Sequence, residues 1–142
     1  MLVETILNFE RKKIMRTNIE FLSNNIKIKG HLFIPDNFSG EAELAGVVVC
    51  HPAGGVKEQT AGRYAEELSK KGFVTLTFDA ARQGESEGEP RGLEDPFQRA
   101  EDIRCAVSYL ATRNYVNENK IGILGYVQEE ATFHTLLKQI DV

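Results

Sequence analysis

Nucleophilic hydrolysis needs a hydroxyl or thiol that a nearby histidine can deprotonate, on a turn that presents it to substrate. One stretch of this 142-residue chain has the spacing for such a turn: Gly122-Ile123-Leu124-Gly125-Tyr126-Val127-Gln128-Glu129. It follows an apolar, strand-like run and opens a helix-like one. In that setting the pattern Gly-x-Ser/Cys-x-Gly seats a nucleophile at a strained strand-to-helix turn. Here Val127 stands in the nucleophile's place and Glu129 in that of the second glycine. An isopropyl group has no lone pair to attack a carbonyl, and Glu129 puts a long charged side chain where crowding favours glycine. The turn is specified, but the atom it would present is missing.

The remaining candidates are weak as catalytic groups. Cys50 precedes His51, but adjacent residues at a strand end point to opposite faces, so the two do not form a Cys–His pair. Cys50 and Cys105 read as small buried hydrophobes. Ser86 falls in a loop and Ser108 in a helix, neither beside an evident base. His134 falls on the polar side of the last helix and is expected to be solvated. His51 has two open readings: a loop histidine bonded to local backbone, or a residue that shapes its loop for oxyanion binding. The acids from Glu85 to Glu94 are expected to form a solvated loop rather than a metal site, because no histidine accompanies them. Gly54-Gly55 ahead of a helix could attract an anion, but the spaced second glycine with lysine of a phosphate-binding loop is missing. No cofactor and no metal are expected.

The elements that must position these residues follow from periodicity. Asn18 to Leu22 and Ile26 to Ile34 are β-rich runs joined by Asn24-Asn25, which predicts a β-hairpin. The continuous apolar runs Ala45 to Cys50 and Phe73 to Phe78 predict strands buried on both faces. Between them Ala61, Tyr64, Ala65 and Leu68 fall at helical spacing, with Lys70-Lys71 and Gly72 as carboxyl-end signals. A loop rich in glycine and glutamate, Asp79 to Glu94, leads to a second helix. Asp95 is its expected N-cap, Pro96 its first residue and Gln98 the partner in a capping-box-like arrangement. Ala100, Ile103, Val107, Leu110 and Ala111 line one face of that helix. Lys120 to Leu124 predicts the last strand, and Phe133, Leu136, Leu137 and Ile140 a final amphipathic helix. A hairpin followed by alternating strands and helices implies an α/β fold: a mixed, mostly parallel sheet flanked by helices.

This order and three motifs resemble the amino-terminal part of the α/β-hydrolase superfamily, in particular bacterial dienelactone-hydrolase-like enzymes. The run Val47 to Cys50 with the loop His51-Pro52-Ala53-Gly54-Gly55 looks like the strand and loop that supply an oxyanion-hole amide. The resemblance makes His51, Ala53 and Gly54 the oxyanion-loop candidates. Asp79-Ala80-Ala81-Arg82-Gln83-Gly84-Glu85-Ser86 looks like the D-x-R-G-x-G-x-S loop, with Gln83 in place of one glycine and a changed turn expected there. Ile121 to Gly125 looks like the strand that delivers the nucleophile. The resemblance covers Thr17 to Gly125 and implies hydrolysis of ester-like bonds. The acid and histidine of the family triad lie after later strands, and nothing here matches them.

The sequence reading is therefore a truncated α/β-hydrolase fold, inactive as a truncated or frame-shifted product, with a non-catalytic binding or assembly module as the alternative. Residues 1–16 are read as an N-terminal extension, with Met15 as an alternative start, and residues 17–142 as the incomplete domain. The strand from Ile121 to Leu124 is expected to be an unpaired edge, which invites self-association. The substrate class, if any, is a small ester-like molecule. A net charge of −4 with interspersed signs argues against nucleic acid as a partner. No apolar run approaches the roughly 20 residues of a membrane span. Two cysteines without metal-ligand spacing fit reduced thiols, and the expected location is cytoplasmic.

Overall fold

The computed structural model describes residues 14–36, 38 and 42–125. The expected final helix, Val127, Glu129, His134 and the possible helical face at Leu2, Ile6 and Phe9 lie outside them.

Strands β1 (Ile14–Ser23) and β2 (Ile26–Pro35) form the expected antiparallel hairpin. Asn24 and Asn25 take φ values of 46° and 63°, the two left-handed residues that a two-residue turn matched to strand twist requires. Asparagine tolerates that region better than most residues because its side chain bonds locally. β1 begins at Ile14, paired with Pro35, so residues 14–16 lie in the sheet.

The rest of the chain supplies two strand–helix–strand units. β3 (Leu44–Cys50) leads through α1 (Thr60–Lys70) to β4 (Val74–Phe78). From there α2 (Pro96–Ala111) leads to β5 (Val116–Leu124). The sheet order is β1-β2-β4-β3-β5, with β3 parallel to both β4 and β5 and β2 antiparallel to β4. Every residue of β4, the central strand, is buried. This is the α/β fold expected from the sequence, with β5 at the edge among the described residues.

Strand period places alternate residues against different helices. Leu32, Val48, Cys50, Leu76 and Phe78 pack with Ala100, Ile103, Ala106 and Leu110 of α2. Their neighbours Phe33 and Val49 pack with Ala61 and Ala65 of α1. Thr75 Oγ1 donates to the Ala65 carbonyl of α1 at 2.7 Å, so a polar side chain in the central strand is satisfied on that face. The caps are also as read, in part. Gly72 takes φ 102° after α1, and Asp95 accepts from the amides of Phe97 and Gln98 at the start of α2. Gln98 does not complete a capping box. Its amide donates to Ser23 Oγ (3.0 Å) and Asp102 Oδ1 (2.8 Å), and its oxygen accepts from Asn24 Nδ2 (3.1 Å). The hairpin turn competes successfully for that side chain and ties β1–β2 to α2.

Candidate functional site

From β3 the chain crosses to β4 on one side and returns to β5 on the other. At such a reversal the loops after the strands separate and leave a crevice at the strands' carboxyl ends, where open α/β sheets bind ligands. Three segments meet there: the loop from His51, the loop from Asp79, and Gly125 after β5.

The His51 loop is held from beneath. His51 is 1% exposed; its Nδ1 donates to Pro52 O (2.8 Å) and its Nε2 accepts from the Ala80 amide (3.0 Å). The ring is therefore the neutral Nδ1–H tautomer, with both nitrogens engaged. Burial, reinforced by the Arg99 guanidinium, pushes its pKa below the ordinary value. His51 thus bonds local backbone and, through Ala80, joins the loops after β3 and β4. Pro52 O also accepts from the Gly55 amide at 2.9 Å, closing a turn in which Gly54 takes φ 76°. Ala53 and Gly54 are exposed at the tip of that turn. Arg99, buried in α2, donates to His51 O (2.9 Å) and holds both carboxylate oxygens of Glu94, at 2.7 and 3.2 Å.

The Asp79 loop is built around an ion pair with no sequence forewarning. Asp79 is fully buried, and its carboxylate accepts from the Lys57 amide (2.8 Å), Lys57 Nζ (2.8 Å) and the Glu85 amide (2.9 Å). Lys57 is 1% exposed, and its ammonium meets Asp79, Glu58 (2.8 Å) and Glu85 (2.6 Å), one acceptor for each of its three protons. Burial is the largest single influence on Lys57 and favours the neutral amine. The three carboxylates together outweigh it and hold the ammonium firmly charged. Glu58, Asp79 and Glu85 bring carboxylate oxygens within 4.8 Å of one another, as a cation site would, but the ammonium sits among them. The loop acids Glu85 and Glu94 are exposed, as read, and are also ion-paired.

The turn expected to change at Gln83 does not depend on that residue. Arg82 takes the left-handed φ of 70°, and the Gln83 amide closes the turn onto Ala80 O at 2.9 Å. Gly84 carries the strict requirement: φ is 47°, and a Cβ there would lie 2.4 Å from Asp79 Oδ2. Ser86, 1% exposed, donates to Asp79 O (2.6 Å) and accepts from the Lys29 amide (2.9 Å), which makes it a structural hydroxyl. On the other side, Asp102 accepts from the Ala81 amide (2.8 Å) and Gln98, and its burial raises its pKa.

Between the ends of β3 and β5 lies a small, largely apolar cavity of about 140 Å³ lined by Val49, Cys50, Tyr64, Leu124 and Gly125. Val127 follows Gly125 by two residues in sequence, outside the described residues. Cys50 is buried in the core, as expected, whereas Cys105 is half-buried, with Sγ 3.5 Å from Glu101 Oε1 and a thiol pKa raised by burial. Ser108 Oγ back-bonds to Arg104 O within α2. Neither histidine among the described residues that the fold buries, His31 or His51, is bonded to a serine or cysteine.

Sheet order, crossovers and the loop after β3 define an α/β-hydrolase fold. Residues 28–127 match the model of the dienelactone hydrolase family, and the chain belongs to that family. It is 44% identical to protein YcjY of Escherichia coli over 115 residues, covering 79% of this chain and 38% of that protein. It is 34% identical over 117 residues to thiohydrolase aneE of Aspergillus aculeatus, covering 82% of this chain and 35% of the relative. The crystal structure of PA2218 from Pseudomonas aeruginosa superposes with a TM-score of 0.73 at 36% identity, over 78% of this chain and 35% of that one. The chain thus spans little more than a third of the length of these relatives. Among the described residues, no helix is long and apolar enough to cross a membrane.

Breaking a buried ion pair from one side leaves an uncompensated charge, at a cost of about 3–5 kcal/mol. Lys57→Met should lower unfolding stability by that order in urea titrations, and adding Asp79→Asn should recover part of the loss. A Lys57→Met cost under about 1 kcal/mol would show that the pair does not hold the loops.

His51 sets a pH dependence. Between its lowered folded pKa and the ordinary 6.5, the unfolded chain binds a proton there and the folded chain does not. Stability therefore falls as pH drops through that window, by at most about 1.4 kcal/mol per pH unit. His31, also lowered chiefly by burial, acts in the same direction. Unfolding curves from pH 7 to 5 should be steeper for the natural chain than for His51→Gln; equal slopes would mean that His51 titrates normally.

Proposed function

We propose that this chain carries the sheet and oxyanion-loop part of a hydrolase for ester-like bonds and is itself catalytically silent. Family membership supports the hydrolytic ancestry, and the relative named thiohydrolase aneE is by that name a hydrolase as well. The observation that carries the silent reading is Val127, whose side chain stands where the family pattern needs oxygen or sulfur. His51 offers no substitute base, because both ring nitrogens already bond backbone. What survives is electrostatic: the exposed turn at Ala53 and Gly54, next to the end of β5, is where a carbonyl oxygen would meet backbone amides. The loss of the motif within a few residues of Gly125 fits a frame-shifted coding sequence. A cytoplasmic location fits the two free cysteines.

In a p-nitrophenyl acetate assay the purified chain should release nitrophenol at the buffer rate, and Val127→Ser should not raise it. Stoichiometric turnover by the natural chain would overturn the silent reading. On the DNA side, a shifted frame past codon 125 that restores Gly-x-Ser/Cys-x-Gly would support the frame-shift origin, and its absence would remove it.

A second reading, an assembly module, rests on β5. Among the described residues it is bonded to β3 alone, Leu124 is 39% exposed, and Ile121 and Ile123 are half-buried. An apolar strand edge is a template for another chain, here a second copy. Sedimentation should show concentration-dependent dimers that Ile123→Lys abolishes. A monomer across the accessible concentration range would exclude this reading.

A further inference from the structure

At the side of the sheet away from β5, β1 is bonded to β2 alone among the described residues. Its pairing runs unbroken over ten residues, from Ile14 to Ser23. An open strand edge presents a row of unpaired N–H and C=O groups, which proteins blunt with proline, lysine, a bulge or a very short strand. β1 has none of these devices. It exposes two large apolar side chains instead, Met15 (55%) and Leu22 (63%). Its two charged residues, Arg16 and Glu20, are both exposed and of opposite sign.

The pattern of this strand is complementary to itself. A copy related by a two-fold axis pairs antiparallel, residue i with j and j with i. Side chains alternate between faces, so only registers that set even residues against even ones and odd against odd keep each face intact. In the register centred on Asn18, Arg16 stands opposite the partner's Glu20, and Glu20 opposite the partner's Arg16. Ile14 faces the partner's Leu22 on the same side of the sheet, where Ile14 already packs toward α1. On the other side, where Ile19 and Phe21 pack toward α2, Met15 faces the partner's Phe21 and Thr17 the partner's Ile19. Both exposed apolar side chains thereby gain apolar neighbours, and both charges gain an opposite one.

The adjacent registers do not achieve this. Centred on Thr17, the pairing sets Ile14 against the partner's Glu20. Centred on Ile19, it sets Arg16 against the partner's Leu22. Within the chain Glu20 is also ion-paired with Lys29 of β2, so the Asn18 register extends a row of alternating charge across the sheet: Lys29, Glu20 and the partner's Arg16.

We propose that β1 is a self-pairing edge, at which two copies of this chain join antiparallel about an axis at Asn18 and continue the five-stranded sheet from one molecule into the other. This interface is separate from the β5 edge and independent of the reading of Val127.

The test is sedimentation of the full chain over a range of concentrations, with charge reversals on β1. The natural chain should dimerise. Arg16→Glu alone and Glu20→Arg alone should each weaken the dimer by about tenfold or more, because each turns two attractive pairs into two repulsive ones. An equimolar mixture of the two variants should dimerise again, since opposite charges then face each other across the axis. Both variants should keep the unfolding midpoint of the natural chain in dilute solution, because the side chains are exposed and an exposed pair such as Glu20–Lys29 is worth little. Ile123→Lys separates the two edges: β1 pairing survives it, whereas the β5 pairing considered above does not. A natural chain that stays monomeric, dimers indifferent to the reversals, or a mixture that associates no better than its components would each overturn the proposal.

Discussion

The upper end of this fold rests on one buried ion pair. Asp79 lies at the carboxyl end of the central strand, and its carboxylate collects the amide and ammonium of Lys57 and the amide of Glu85. Three segments distant in sequence are thereby fixed against one another: the loop after β3, the loop after β4 and, through Ser86 and Lys29, strand β2. Such a pair is weak evidence of net stability, because desolvating both charges costs several kcal/mol each. Its contribution is geometric. A carboxylate with both oxygens engaged restricts the arrangement of those loops, and Gly84 leaves room beside it.

A second layer of bonds extends that order toward the turn at Ala53 and Gly54. His51 accepts from Ala80 and donates to Pro52, and Arg99 holds the His51 carbonyl while gripping Glu94. The turn at Ala53 and Gly54 is thus set by groups on β3, the β4 loop and α2, although its own residues are small and exposed. A preorganised loop is a property of backbone packing, whereas nucleophilic attack depends on a single atom.

Elements and caps were legible because they depend on local rules. The Asn24-Asn25 turn, Gly72, Asp95 and the alternation of the strands each satisfy a requirement imposed within a few residues. Interactions between segments were not legible in the same way. Gln98 has the spacing of a capping box, but Ser23 and Asn24, more than seventy positions earlier, take its side chain. Gln83 occupies a glycine's place in the motif, yet the left-handed backbone falls on Arg82. Lys57 looks like any loop lysine, since nothing adjacent announces that three carboxylates from separate positions will surround it.

The sequence by itself determined the fold class, the order of elements and the family resemblance, because each is a matter of residue type and short-range spacing. Tertiary structure alone decided which polar groups are buried together: Lys57 with Asp79, and His51 with Ala80. The physical reason is that burial and pairing are properties of space. A charged or polar side chain acquires its partners, its protonation and its role when sheet order brings distant loops to the same end of the strands.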